Sequence, residues 1–285
     1  MDLSVNIGKV FLKNPVLTAS GTFGSGLEYK NFIDLENIGA IVTKTVTFEP
    51  RKGNPPPRIW EVSSGVLNSV GLHNEGIEHF YSHDFTELKK LDLTVVVSVG
   101  GRDYDEYLKS IERINMEDRV DAVEVNISCP NVKNEGLIFG KEPHGAEELI
   151  KTLRKATEKP LWVKLSPYVS DISDIALAVE NAGADAVSLI NTFPALAVDI
   201  ESLKPRLGGL FGGLSGPAIK PIALKMVWEV YQKVKIPVIG MGGITNYKDA
   251  LEFIIAGATA VAIGTSNFAN PYTISEVIKG LEEYM

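Results

Sequence analysis

The sequence has one cysteine, Cys129, among 285 residues. One thiol cannot close an internal disulfide, so the fold does not depend on an oxidising compartment. Nor can one thiol hold an iron–sulfur cluster, which typically takes four thiolates. Basic charge is also scarce: 28 Lys and Arg stand against 36 Asp and Glu, a net charge of −8. No run of Lys and Arg offsets this, which argues against a nucleic-acid partner. The four histidines are expected to form no metal site. The stretch MDLSVNIGKVFLKNPVL has no apolar segment long enough for a signal peptide or a membrane span. The expectation is a cytoplasmic protein with no membrane contact.

What is present is a repeated phrase. ENIGAIVTKT (36–45), NAGADAVSLINT (181–192) and IIAGATAVAIGT (254–265) share one grammar. A helical segment ends at Gly, Ala follows, and a short β-branched strand leads to a polar exit. Gly39, Gly183 and Gly257 are expected just past a helix end with positive φ. The strands are almost continuously apolar, as in parallel strands buried on both faces. The same pattern predicts strands over 15–19, 41–45, 94–99, 122–127, 161–165, 186–190, 237–240 and 260–263. It predicts helices over 103–114, 146–158, 172–182, 219–234 and 247–256. Asp171 suits an N-cap, and Pro217 or Pro221 suits a first helical turn.

Strands alternating with helices in this number predict a single α/β domain over 1–285, a (β/α)8 TIM barrel. An open doubly wound sheet is the runner-up, weakened by the lack of G-x-G-x-x-G after the first strand. LSVNIGKVFLKNPV predicts a short N-terminal β-hairpin covering the bottom of the barrel. Residues 48–69, with Pro55, Pro56 and Pro57, and residues 130–145 predict loop insertions at the C-terminal face.

In this fold function sits where the strands end. GMGG (240–243) and IGTS (263–266) end the seventh and eighth strands, where barrels commonly bind phosphate through glycine N–H groups. GGLSG (212–216) is placed to add to that cradle. Lys44 and Lys164 close buried strands, and a buried ammonium needs an anionic partner. Asn68, Asn126, Asn131 and Asn191 supply amides with both donors and acceptors, suited to a flat polar heterocycle. Turn chemistry competes as an explanation, most of all at Asn191. Cys129 follows its strand instead of lying inside it. It reads either as an inert small hydrophobe or as a proton-moving thiol, whose reference pKa of about 8.5 suits base work.

NISCPNVK, NSVGLHN, VTKT, VKLSP, INT, GGLSGPAIKP, GMGGI and IGT, in this order, resemble the catalytic subunit of the dihydroorotate dehydrogenase family. The likeness runs from about Leu17 to Phe268, and N-[IL]-S-C-P-N is its most specific element. The resemblance implies FMN as cofactor, its phosphate on the backbone of Gly216, Gly242, Gly243, Gly264 and Thr265. It implies that Ala19, Ser20, Gly21, Lys44, Thr45, Asn126 and Ile190 contact the flavin ring and its surroundings. Lys164 would stabilise the reduced flavin at its N1/O2 edge. Lys44, Asn68, Asn126, Asn131, Asn191 and Thr192 would hold dihydroorotate, with the backbone of Gly71 and Leu72 at its carboxylate. Cys129 would take the C5 proton while hydride passes from C6 to flavin N5, giving orotate for pyrimidine (UMP) biosynthesis.

A cysteine base resembles the soluble type of the family. Asn131–Val132–Lys133, Gly136, Phe139–Gly140 and INTFPALAVDIESLKP (190–205) resemble its NAD-linked type 1B. That type implies a partner subunit carrying FAD and a [2Fe–2S] cluster, and a heterotetramer built on a homodimer core. One departure is Ser98, where many relatives have an asparagine near the flavin. Competing readings are a fumarate-dependent dihydroorotate oxidase, a dihydropyrimidine dehydrogenase-like subunit, a non-redox phosphate-binding lyase or isomerase, and a non-catalytic scaffold. The first needs no partner, the second takes a substrate without the carboxylate, and the third predicts a colourless protein. An intact NISCPN argues against the fourth.

Overall fold

A computed structural model describes residues 2–128 and 139–284. Eight strands form one parallel sheet. They are β1 (Val16–Thr18), β2 (Ile41–Val42), β3 (Val95–Val99), β4 (Ala122–Asn126), β5 (Leu161–Lys164), β6 (Ala186–Leu189), β7 (Val238–Met241) and β8 (Ala260–Ile263). Each pairs with its neighbours in sequence, and β8 pairs back onto β1 through Ala262 and Leu17. A parallel bridge from Leu17 to Ala40 joins β1 to β2 and completes the ring. The architecture is the expected TIM barrel.

The strands hold because both faces are apolar and covered. Val95–Val99 reads VVVSV, and every residue is buried. Alternate side chains face opposite ways. Leu17, Val42, Val96, Ala122, Trp162, Ala186, Ile239 and Ala260 form one cluster inside the barrel. Val97, Val125, Val163, Val187 and Val261 belong to the larger cluster under the helices. Each such side chain, fully buried, stabilises the fold by about 1.5–3 kcal/mol. The hairpin of Val5–Ile7 and Val10–Leu12 adds Ile7, Val10 and Leu12 to the inner cluster, so it plugs one end of the ring as predicted.

The helices carry the expected signals. In Tyr104–Asn115 the buried residues Tyr107, Ile111 and Ile114 lie along one face, and Asp103 caps the start by accepting from Glu106 N. Asp171 caps Ile172–Asn181 by accepting from Ser173 N and Asp174 N. Pro221 sits in the first turn of Lys220–Tyr231, and Pro217 opens the short 3-10 turn before it. Pro143–Ala156 starts earlier than predicted because proline is pre-set for a first turn.

Two expectations change. The alternation is not strict: β1 is followed by two single 3-10 turns, Leu27–Tyr29 and Leu35–Asn37. Gly21, Gly24 and Gly26, all at positive φ, break up the segment where a helix would begin. Gly183 and Gly257 take the predicted positive φ, 98° and 109°, but Gly39 does not. It is glycine for another reason, since a Cβ there would collide with the Asn14 carbonyl.

The insertions meet over the C-terminal face. Ile59–Val62 and Gly65–Asn68 pair antiparallel, and Gly212–Ser215 and Phe193–Ala195 extend them to a four-stranded sheet. It forms one wall of the mouth. Among the described residues no helix is long and apolar enough to cross a membrane.

Candidate active site

A cavity of about 710 Å³ opens at the C-terminal ends of the strands, under the antiparallel sheet. Every described residue named from the sequence as a site residue lines it. Ala19, Ser20 and Gly21 come from the exit of β1, Lys44 and Thr45 from that of β2, and Asn126 and Lys164 from β4 and β5. Ile190, Asn191 and Thr192 follow β6, Gly242 and Gly243 follow β7, and Gly264 and Thr265 follow β8. Asn68, Gly71, Leu72 and Gly216 come from the insertions. Cys129 and Asn131, with Val132, Lys133 and Gly136, lie outside the described residues.

The glycine side of the cavity is tightly fitted backbone. Gly243 has φ 75°, and a Cβ on it would stand 2.8 Å from Gly216 O. Gly242 has φ 126°, and a Cβ on it would meet Ala223 Cβ at 3.0 Å. Only glycine lets the exit of β7 lie so close to Gly216 and to Ala223 of the helix Lys220–Tyr231. Thr265 Oγ1 donates to Ser215 Oγ at 2.8 Å, tying the exit of β8 to the segment that carries Gly216. The geometry fits a phosphate group.

Across the floor lies a buried cation. Lys164 is 4% exposed, and among the described residues its Nζ donates only to Ser20 Oγ, at 3.0 Å. An ammonium has three donors. Buried with one neutral acceptor, it fits an anionic or electron-rich ring edge. Lys44 has no hydrogen-bond partner for its Nζ among the described residues. Burial first, and then the Arg58 charge, lowers its pKa from the usual lysine value of 10.5.

The asparagines form a polar wall. Asn126 is 6% exposed; its Nδ2 donates to Thr45 Oγ1 at 3.3 Å and its Oδ1 accepts from Ser128 Oγ at 2.6 Å. Asn191 Nδ2 donates to the same Ser128 Oγ, and its Oδ1 accepts from Thr192 N at 2.7 Å. Asn68 Nδ2 donates to Gly213 O at 3.2 Å. Leu72 holds φ 54°, in the left-handed region that non-glycine residues rarely adopt. Asn74 Nδ2 donates to Leu72 O at 2.7 Å and supports that turn. Strain of this kind persists where surrounding bonds fix it, commonly at functional sites.

The sequence reading missed Ser128, Ser215 and Glu124. Ser128 was visible inside NISCPN and Ser215 inside GGLSG, but a lone serine gives no signal of its own. Ser98 does not line the cavity: its Oγ donates to Glu124 Oε1 at 3.0 Å and lies 3.0 Å from Thr45 Oγ1. His79 and His83 stand one helical turn apart and stack at 4.0 Å. No group of three or more His, Cys, Asp or Glu that could hold a metal occurs among the described residues.

Comparison with known proteins agrees with this geometry. The family model described as dihydroorotate dehydrogenase matches residues 2–285. A protein of Desulforamulus reducens is 52% identical over 285 residues, covering all of this chain and 94% of its own length. Relatives from Parabacteroides distasonis and Caldicellulosiruptor bescii are each 51% identical, covering 99% and 100% of this chain and 93% and 94% of theirs. All three are named dihydroorotate dehydrogenase B (NAD(+)), catalytic subunit.

Proposed function

The chain belongs to the dihydroorotate dehydrogenase family, and from that premise we propose that it is the catalytic subunit of an NAD-linked dihydroorotate dehydrogenase. It oxidises dihydroorotate to orotate in de novo pyrimidine biosynthesis, in the cytoplasm. The observation that carries the reading is the meeting of three unlike features in one cavity. These are the glycine cradle, the buried Lys164, and the wall of Lys44 and asparagines.

Gly216, Gly242, Gly243, Gly264 and Thr265 would hold the phosphate of FMN through backbone N–H groups. Ala19, Ser20, Gly21, Thr45, Asn126 and Ile190, which line the same cavity, would border its ring. The FMN, when bound, supplies the two-electron acceptor for the substrate's hydride. Lys164 would neutralise negative charge beside the ring, since among the described residues its Nζ donates only to the Ser20 hydroxyl. Lys44 and the backbone of Gly71 and Leu72 take the substrate carboxylate. Asn68, Asn126, Asn131, Asn191 and Thr192 match the donors and acceptors of the pyrimidine ring. Cys129, three residues after Asn126 in the sequence, takes the C5 proton as general base.

Electrons leave through a second subunit. A single cysteine cannot ligate a cluster, so the [2Fe–2S] of the NAD-linked type sits on that partner, together with the FAD that the resemblance implies. Two barrels paired symmetrically would each bind one partner, giving a heterotetramer. The test is reoxidation of the dihydroorotate-reduced chain. Alone, it stays reduced with NAD and with fumarate, and the partner subunit restores reoxidation by NAD. Rapid reoxidation by fumarate alone would reassign it to the fumarate-using type.

A further inference from the structure

Glu124 lies inside the barrel on β4, two residues before Asn126, and is 1% exposed. It does not line the cavity. Among the described residues its carboxylate has no ion-pair partner. Its oxygens accept only from Ser98 Oγ on β3, at 3.0 Å, and Ser188 Oγ on β6, at 3.1 Å. Burying a carboxylate on two hydroxyls is costly, and the packing of the barrel does not call for it.

Counting hydrogens shows what it does. A carboxylate only accepts, and a hydroxyl has one hydrogen to give. Ser98 gives its hydrogen to Glu124, so Thr45 Oγ1, 3.0 Å from Ser98 Oγ, must donate to Ser98. Thr45 can then only accept from Asn126, which turns its Nδ2 downward at 3.3 Å. That leaves Asn126 Oδ1 facing Ser128, whose Oγ donates to it at 2.6 Å and whose backbone N donates to it at 3.2 Å. Ser128 in turn accepts from Asn191 Nδ2. Every link points the same way, from Asn191 through Ser128, Asn126, Thr45 and Ser98 to Glu124.

We propose that Glu124 is a positioning residue: as terminal acceptor it sets the direction of this chain and so helps hold the Asn126 amide in the orientation it offers the substrate, whereas Asn191 is oriented by the N–H of Thr192. The proposal rests on the reading that these asparagines hold dihydroorotate. Without an acceptor at 124, Ser98 can turn its hydrogen to Thr45 and Thr45 to Asn126. The Asn126 amide can then turn to offer Oδ1 to Thr45, giving up the bond from Ser128 N, and the turned form opposes the ligand's donors and acceptors.

The experiment is calorimetric titration of the FMN-loaded protein with orotate. The set is wild type, Glu124→Leu, Glu124→Gln, Ser98→Ala, Ser188→Ala and the double variant Glu124→Leu/Ser98→Ala. Glu124→Leu and Ser98→Ala should each weaken orotate binding by about five- to tenfold, the effect of one misdirected hydrogen bond. The double variant should bind no worse than either single, because both cut one chain. Glu124→Gln should rescue binding, since its Oε1 can face Ser98 while Nε2 donates to Ser188. Ser188→Ala, which lies off the chain, should bind like wild type. A merely structural role would lower the melting temperature of Glu124→Leu and leave its orotate affinity intact, and that result overturns the proposal. So does Glu124→Gln binding as poorly as Glu124→Leu. If Glu124→Leu does not fold, Ser98→Ala decides alone: wild-type affinity there refutes the chain. A wild-type protein that binds FMN and no orotate would instead overturn the proposed function.

Discussion

Replacing Lys164 by methionine should move cofactor affinity and apoprotein stability in opposite directions. Lys164 is 4% exposed, and among the described residues its ammonium has one neutral acceptor, Ser20 Oγ, at 3.0 Å. Methionine keeps most of the volume and removes the charge. In the flavin-free protein the substitution relieves a buried, poorly partnered cation. Exchanging buried charges for apolar groups of similar size is neutral or stabilising, here by about 1–3 kcal/mol. At about 2 °C per kcal/mol for a chain of this size, the melting midpoint should rise by roughly 2–6 °C. With FMN, the variant loses a charge-assisted hydrogen bond of about 1.5–3 kcal/mol. The dissociation constant for FMN should therefore rise by about ten- to hundredfold. Quenching of FMN fluorescence gives the affinity, and scanning calorimetry of the stripped protein gives the midpoint. A variant that binds FMN as tightly as wild type, or whose apoprotein melts lower, would refute the assignment of Lys164 to the flavin.

Other outcomes follow from the same geometry. Cys129→Ala should keep its flavin spectrum and lose about 10²–10⁴-fold in turnover with dihydroorotate; wild-type turnover would remove the base assignment. Burial, then Arg58, lowers the Lys44 pKa, so below that value the buried ammonium costs stability, and the cost lifts as pH rises. Orotate needs the charged form, so its affinity should fall by up to about tenfold per pH unit once pH passes the lowered pKa. Lys44→Met should flatten that profile, and a wild-type profile flat to about pH 10 would contradict the role of Lys44. Gly243→Ala should empty the FMN site, because its Cβ would stand 2.8 Å from Gly216 O at φ 75°. Gly264→Ala should cost less, its Cβ meeting Ala19 Cβ at an ordinary 3.4 Å. Flavin content of the purified variants distinguishes the two.

The barrel was legible because its signals are local. A buried parallel strand must be apolar on both faces, so AVSL and AVAI announce themselves, and a capping aspartate such as Asp171 acts within three residues. The strand-exit residues could be placed at the mouth from the same register. Gly39 was misread because positive φ and close approach by another strand leave the same mark in sequence. The antiparallel wall was not legible: Asn68 pairs with Gly213, and nothing local marks segments so distant as partners. Glu124 was hidden for a related reason. In VEVN it looks like a strand residue with an awkward charge, and its meaning depends on hydroxyls from β3 and β6 that only the closed ring brings together. Ser98 read as a weakened flavin contact, whereas its hydroxyl belongs to that inner layer.

The most direct test is an anaerobic absorbance spectrum of the purified chain before and after dihydroorotate, with dihydrouracil as the control that lacks the carboxylate. The account predicts a yellow protein that bleaches with dihydroorotate and keeps its colour with dihydrouracil. A protein that binds no FMN, or one that bleaches with both compounds alike, would contradict it.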